Sequence, residues 1–499
     1  MFKFAVINDI HYAFTSDDPD KRGDWGDVLL QRAVYRINRV IQPDAVVVLG
    51  DLIDKPTDAS DARERLQRMK DILQDLEAPY IVIPGNHDPE PELFFQIFDV
   101  PEPVVDIGPV RFVPFIDPFT DDFNAVRAEA DIARLTTARN GHSGPIVALQ
   151  HVPVVPPGKT NSRFNYHNAE AILEAMDANR ITLAISAHEH QGTPLVYHGG
   201  TACYVAAAMC KEPFPVTVVH IGAQGEVAIE TEPLQMPREL GLFDCHSHTE
   251  FAYCGRDVEM QSSSEFADLM GLAGIAFTEH TGQLYFDRPA FWEGAFAERG
   301  MANADPADSR LTAYWQAADL VRRQPNRLVG FEVDADFNGN PVLAAEDRER
   351  ADILVGAIHF LPETVRAKAS NTPFSYNRIQ EEFMYVMERF VPSGIDVLAH
   401  PFRIFQWAGF EAPESLYDPV IKLLKENNVA AEINFHKNRP EAEFFRRCLE
   451  AGVKLTFGGD AHQRFQVGEF ALHLRFIRET LGYDGELNDI LLQPRRRAR

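Results

Sequence analysis

Histidine and acidic residues recur in this chain in short clusters, each standing just after a run of apolar, mostly β-branched residues. The first set reads Asp9-Ile10-His11, Gly50-Asp51, Gly85-Asn86-His87-Asp88, His151 and Ala187-His188-Glu189-His190. Residues two apart on an extended segment project to the same side, so Asp9 with His11, and His188 with His190, can each reach one ion. Asp51 has two carboxylate oxygens and can bridge two dications, while Asn86 offers a neutral carbonyl oxygen. Asp9, His11, Asp51, Asn86, His151, His188 and His190 form a candidate ligand set of mixed nitrogen and oxygen, which suits manganese, iron or zinc better than calcium or an all-oxygen magnesium site. A lone fragment of this kind is commonly a plain turn; the ordered recurrence at successive strand ends is what points to chemistry. Two adjacent dications clamp a phosphoryl group and activate water for in-line attack.

A second series begins at Asp244-Cys245-His246-Ser247-His248 and continues through Glu279-His280, Glu332, His359, His400 and Asp460-Ala461-His462. Most of the 17 histidines fall in the two series, a distribution that packing does not explain. His142, His167, His198, His220, His436 and His473 lie outside and are read as structural or surface residues, with His436, two past Asn434, the first candidate exception. Arg256, Arg403 and Lys437 stand beside the strand ends and can hold phosphate oxygens. Aromatic residues at Tyr285-Phe286 and from Phe402 to Trp407 wall a pocket or, more commonly, pack a core.

The elements that must position these side chains follow from α/β alternation. Expected strands are Phe2 to Ile7, Ala45 to Leu49, Tyr80 to Ile83, Pro145 to Gln150, Ile181 to Ser186 and Val216 to Ile221; the spacing Leu30, Val34, Ile37, Ile41 predicts a helix after the first. Open α/β sheets bind ligands where the loops gather along one strand edge. Glu232 to Pro237 is bracketed by prolines and reads as a linker, placing a domain boundary near Pro237. Strand-like runs restart at Leu242 to Cys245, Gly274 to Thr278, Leu328 to Val333, Ile353 to Ile358, Asp396 to Ala399, Ala430 to Phe435 and Lys454 to Gly458, which suggests a βα barrel with its polar clusters on one face. Phe286 to Asp308 reads as an irregular insertion. Residues 493–499 read as a frayed basic tail.

The 499 residues exceed what one core usually organises. A net charge of −26 opposes broad nucleic-acid binding. No stretch reaches the roughly 18 apolar residues of a membrane span. The N-terminus enters a strand-like run without a charged-then-apolar leader, and the odd set Cys203, Cys210, Cys245, Cys254 and Cys448 suits a reducing compartment. The expected setting is cytoplasmic.

The ordered motifs of residues 9–190 resemble the calcineurin-like metallophosphoesterases, in particular their class III cyclic nucleotide phosphodiesterase branch. Ala187 departs from the usual glycine of that family's Gly-His-x-His motif. The resemblance implies a four-layered α/β/β/α sandwich (residues 1–237) with two divalent metals bridged by Asp51. It also implies that His87 stays off the metals as a proton donor to the leaving alkoxide and that Asp54 orients it. The second series resembles the PHP (polymerase and histidinol phosphatase) family, implying a distorted (β/α)7 barrel (residues 238–492) with two or three metals, again zinc, iron or manganese. By that resemblance His246, His248, Glu332 and Asp460 hold one metal; Glu332, His359 and His400 hold a second; His280 and His462 belong to a third. Cys254 stands where the family often has a further histidine, and a thiolate there can still bind zinc or iron. Together the resemblances imply hydrolysis of a small-molecule phosphate ester, a diester or monoester in the first domain and a monoester in the second, an order that would let both act in sequence on one substrate. Nucleic-acid processing and a non-catalytic second domain are the alternative classes.

Overall fold

The computed structural model describes residues 1–15, 18, 20–304 and 309–497. The chain divides into two compact units, Met1–Gln235 and Met236–Arg499. Among the described residues no helix is long and apolar enough to cross a membrane.

The first unit contains strands β1 (Phe2–Ile7), β2 (Ala45–Val48), β3 (Tyr80–Val82), β4 (Val105–Ile107), β5 (Val110–Pro114), β6 (Ile146–Leu149), β7 (Leu183–Ser186), β8 (Val196–His198), β9 (Thr201–Val205), β10 (Pro215–Ile221) and β11 (Val227–Pro233). They form a five-stranded sheet ordered β11-β10-β1-β2-β3 and a six-stranded sheet ordered β4-β5-β6-β7-β9-β8. β1, β2 and β3 are mutually parallel, as are β5, β6, β7 and β9, so the polar loops of each group leave along one edge. Period-2 alternation sends Phe4, Val6, Val47, Phe112, Val147 and Ile185 into one core shared by the two sheets. There Phe4 meets Phe112 edge-on at 5.4 Å, and each such fully buried side chain is worth roughly 1.5–3 kcal/mol. The opposite face of the six-stranded sheet packs Ala148 and Ala184 with Ile172, Leu173 and Met176 of the helix Ala169–Ala178. On the five-stranded sheet the alternate residues Ala5, Ile7, Val46 and Val48 are equally inaccessible, so that face is covered too.

The helix predicted from Leu30, Val34, Ile37 and Ile41 is an α-helix, Gly26–Arg36, prolonged by a π-helical turn over Ile37–Ile41. The helix Ala59–Leu73 starts where Asp58 accepts from the N–H groups of Ser60 and Asp61, a cap worth about 1 kcal/mol. Glu232 and Pro233, expected in a linker, instead complete β11 by pairing with Val216 and Pro215.

The second unit is a parallel barrel of β12 (Phe243–Ser247), β13 (Gly274–His280), β14 (Arg327–Asp334), β15 (Leu354–Ala357), β16 (Val397–Leu398), β17 (Ala430–Asn434) and β18 (Leu455–Gly458), hydrogen-bonded in that order. Its ends nearly close: Ser247 bridges Ala461, and the N–H of Asp460 donates to the carbonyl of His246 at 2.7 Å. Small and medium residues, among them Cys245, Ala276, Val355, Ala357 and Ala399, fill the narrow interior. The expected irregular insertion contains short helices, Arg288–Trp292 and Ala295–Arg299, followed by a 3-10 turn at Gly300–Asn303; its residues 305–308 lie outside the described residues. The basic tail is not frayed at Arg496 and Arg497. Arg496 donates to the carbonyls of Arg322 and Arg327, and Arg497 pairs with Asp396 at 2.7 Å; residues 498–499 lie outside the described residues.

Candidate metal centres

In the first unit every predicted ligand stands just past a strand of the parallel edge. Asp9, His11, Asp51 and His188 all adopt left-handed backbone, with φ of 49°, 50°, 52° and 69°, which aims their side chains inward at a cost ordinary residues avoid. His11 Nε2 lies 3.1 Å from His190 Nε2 and 3.4 Å from Asp51 Oδ2. Asp51 Oδ2 is also 3.5 Å from His151 Nε2, which is 3.0 Å from Asn86 Oδ1. Asp51, His151 and His188 bring one ligand atom each within a span that one ion could occupy. His151 Nδ1 donates to the carbonyl of Leu49 at 2.6 Å, which fixes the ring and turns Nε2 toward the cluster. His87 lies beside His11, ring centroids 4.6 Å apart; its Nδ1 is 2.5 Å from Asp54 Oδ1, and its backbone N–H donates to Asp51 Oδ1.

Two glycines permit this approach. A Cβ on Gly50 would strike the backbone of Pro84 and Gly85, and one on Gly85 would strike the Asp51 carboxylate and the His151 ring. Ala187, where the sequence departs from glycine, buries its methyl in the inter-sheet core and keeps its N–H on the carbonyl of His151.

In the second unit Glu332 is the hub. Its Oε1 lies 2.9 Å from His400 Nε2 and 3.3 Å from His359 Nε2; its Oε2 lies 2.7 Å from His280 Nδ1, 3.5 Å from His246 Nε2 and 3.7 Å from His248 Nε2. Asp460 Oδ1 is 3.0 Å from His248 Nε2. His248, His280 and His462 form a further group at one-ion spacing. Cys254 sits beside them, its sulfur accepting from Gln283 Nε2 at 3.2 Å, and the neighbouring His280 lowers its pKa against the effect of burial. Of the proposed anion holders, Arg403 is tied to Asp460 Oδ2 at 2.5 Å, Lys437 lies on the rim of a cavity beside the cluster, and Arg256 is exposed and absent from that cavity's lining. Tyr285, Phe402 and Phe405 are core residues, leaving Trp407 as the open aromatic of those stretches.

Residues 2–192 match the family model described as calcineurin-like phosphoesterase, and residues 244–436 match that of the PHP domain. The chain joins a calcineurin-like phosphoesterase domain to a PHP domain. It is similar to a protein of Acetivibrio thermocellus named a probable phosphatase, 24% identical over 161 residues, a match covering 31% of this chain and 59% of that protein. Among solved structures it is similar to a dimetal phosphatase from Danio rerio, with 15% identity and a TM-score of 0.40 over 47% of this chain and 96% of that one. A Listeria monocytogenes protein provisionally named a histidinol phosphatase gives 18% identity and a TM-score of 0.36 over 45% and 97%.

The ligand clusters of both domains suit cations. Asp9 Oδ1 and His188 Nε2 in the phosphoesterase domain, and His246 Nε2 in the PHP domain, are buried with no hydrogen-bond partner among the described residues, a cost that a bound ion would remove. Burial, with His151 and His11 as neighbouring charges, lowers His188 and His190 to about 3, so both are neutral imidazoles with lone pairs to give. Burial opposes charge on His151 as well, but Asp51 prevails and raises it to about 9; an ion bound there would displace that proton. Asp54 is held well below the usual carboxylate range by the His11 and His87 imidazoles beside it, with Lys21 acting in the same direction against the effect of burial.

Four supporting carboxylates were not singled out from sequence. Asp88 accepts from the N–H groups of Leu52, Ile53 and Gly85, stitching together the loops after β2 and β3; burial and Asp51 raise it to about 7. In the PHP domain Glu432 holds His246 Nδ1 at 2.7 Å, Asp334 holds His359 Nδ1 at 2.7 Å and Glu279 holds His248 Nδ1 at 3.1 Å. A signal was present for Glu432, a charged residue inside the apolar strand Ala430–Asn434, and for Asp334, two past Glu332 on the same strand.

Proposed function

We propose that this chain is a metal-dependent phosphoesterase with two hydrolytic centres, one in each domain, acting on small-molecule phosphate esters in the cytoplasm. The convergence of buried, unpartnered ligand atoms on each cluster is the observation that supports it. In the phosphoesterase domain Asp9, His11, Asp51 and His190 would hold one divalent metal and Asp51, Asn86, His151 and His188 another, drawn from manganese, iron or zinc. When bound, such a pair supplies charge neutralisation for the phosphoryl group and a water acidified for attack. The chain's own contribution is proton control: Asp54 binds His87 Nδ1–H, so the imidazole is oriented and its Nε2 is the nitrogen that gives a proton to the leaving alkoxide. A cavity of about 260 Å³ lined by Asp51, Asn86, His87 and His188, with Phe123 and Phe164 in its wall, leaves room for the leaving group beside His87.

In the PHP domain His246, His248, Glu332 and Asp460 would hold one metal, Glu332, His359 and His400 a second, and His280 and His462 with Cys254 a third. A monoester is the substrate class assigned there, so a diester opened by the first domain could lose its remaining phosphate in the second. Metal analysis combined with a diester and monoester panel tests the reading. Asp51→Asn should abolish diester cleavage and spare monoester hydrolysis, and Asp460→Asn should do the reverse. Loss of both activities in either folded variant would refute two independent centres.

A further inference from the structure

The PHP domain contains a cavity of about 610 Å³ whose floor is the second ligand cluster, with His280, His359, His462 and Asp460 in its lining. Two properties of its upper wall are not explained by holding metals or a single phosphate. Lys368, Lys437 and Arg439 stand around it, all exposed, and none of their side chains makes an ion pair among the described residues. Asp460 is the single carboxylate in the lining, and Arg403 already engages it. In a chain of net charge −26, three uncompensated cations around one mouth make a local positive field aimed at the ligand cluster. The loop carrying Lys437 and Arg439 is held in place: Gln406 accepts from the Arg439 N–H at 2.9 Å and donates to its carbonyl at 2.7 Å.

The second property is aromatic. Trp292 and Trp407 both line the cavity and are 49% and 50% exposed; Trp292 meets Phe291, itself in the lining, edge-on at 5.0 Å, and Trp407 meets Phe374 at 5.4 Å with the rings tilted by 46°. Large flat side chains held against a neighbouring ring and half open to solvent serve as stacking platforms. Phe360 and Ile358 add apolar surface below them.

We propose that this cavity selects phosphomonoesters whose alcohol carries both a flat ring, placed on Trp292 or Trp407, and a second anionic group, met by Lys368, Lys437 and Arg439 while the scissile phosphate lies over the ligand cluster. This rests on the reading of the PHP domain as a monoesterase and narrows its substrate.

Four esters separate the two features: glycerol 3-phosphate has neither, 3-phosphoglycerate has the anion, phenyl phosphate has the ring, and 4-carboxyphenyl phosphate has both. They are compared in the metal-loaded full chain carrying Asp51→Asn, as such and with Lys368→Ala/Arg439→Ala or Trp407→Ala added. Dividing each variant's KM by its parent's cancels the intrinsic reactivity of the leaving groups. The double variant should raise KM for the two esters whose alcohol carries a carboxylate at least ~10-fold more than for the two whose alcohol is uncharged, and Trp407→Ala should raise KM for the two ring esters ~3–10-fold more than for the two acyclic esters. Equal factors on all four esters would overturn the proposal. Should none be hydrolysed, the monoesterase reading fails, and calorimetric binding of phenylphosphonate and 4-phosphonobenzoate still decides the selectivity. A preference for 4-phosphonobenzoate that disappears in the double variant supports it, and equal affinities refute it.

Discussion

Asp54 Oδ1 lies between two imidazoles, 2.5 Å from Nδ1 of His87 and 3.6 Å from Nδ1 of His11. One carboxylate therefore orients the predicted acid and stands beside a predicted ligand. If His87 protonates the leaving oxygen, its value depends on how badly that oxygen needs a proton. His87→Ala should slow cleavage of an alkyl diester by ~10²–10⁴-fold, and of a nitrophenyl diester far less, because nitrophenolate departs unprotonated. Asp54→Asn should cost a smaller ~10–100-fold. Equal losses of His87→Ala on both esters, at full metal content, would remove His87 from the acid role.

The contact between Gly85 and the Asp51 carboxylate predicts a steric lesion. A methyl at Gly85 meets Asp51 and the His151 ring, and displacement of a reacting group by about 1 Å costs on the order of 10²-fold. Gly85→Ala should lose diesterase activity by that order and bind fewer metal ions per chain, with PHP-domain activity kept. A variant with full diesterase rate and unchanged stoichiometry would contradict the geometry.

Glu432 is buried, takes the His246 Nδ1 hydrogen and also accepts from the His400 N–H and Asn434 Nδ2. Glu432→Gln keeps the shape but weakens the polarisation of His246. Metal affinity of the PHP domain, measured by competition with a chelator, should fall ~10–100-fold. An unchanged affinity would reduce Glu432 to a structural residue.

Removal of metal should be visible as lost stability. Asp9 is pushed above its ordinary pKa by burial and by Asp51, an arrangement that a cation relieves. Saturating metal at about 100 Kd adds about 2.7 kcal/mol, equivalent to roughly 5–10 °C in the melting of a unit of this size. Calorimetry of chelated and reloaded protein should show this upshift in the first unit, and Asp51→Asn should shrink it. Identical traces with and without metal would argue against an ion at this centre.

The strands that carry the site can be read directly, because each is a short apolar run ended by polar residues: Phe2–Ile7 forms where the sequence places it, and the other expected strands differ by one to three residues at their ends, whereas β4, β5, β8, β9 and β11 are not anticipated. The clustered histidines were legible for the same reason, since strand order and parallel pairing bring successive ends to one edge. The supporting carboxylates were not. Asp88 and Glu279 stand inside the motifs, but whether such a side chain faces an ion or a backbone N–H is set by loop conformation that sequence spacing does not encode. Arg403 likewise reads as a phosphate holder from its position, whereas its partner Asp460 is 57 residues away in the chain and only folding reveals the pair. Glu232 and Pro233 were misjudged because prolines at a sheet edge look like those of a linker.

The left-handed backbone at Asp9, His11, Asp51 and His188 sets function against endurance. For residues other than glycine this conformation costs roughly 1–2 kcal/mol each, so the fold is held together elsewhere against strain concentrated at the very positions that chemistry requires. Glycine at His11 or His188 should relax the backbone and raise the melting temperature of the metal-free chain. Selection for thermal tolerance alone would thus erode these residues first, and heat-resistant variants of this protein must be checked for metal binding in the same round.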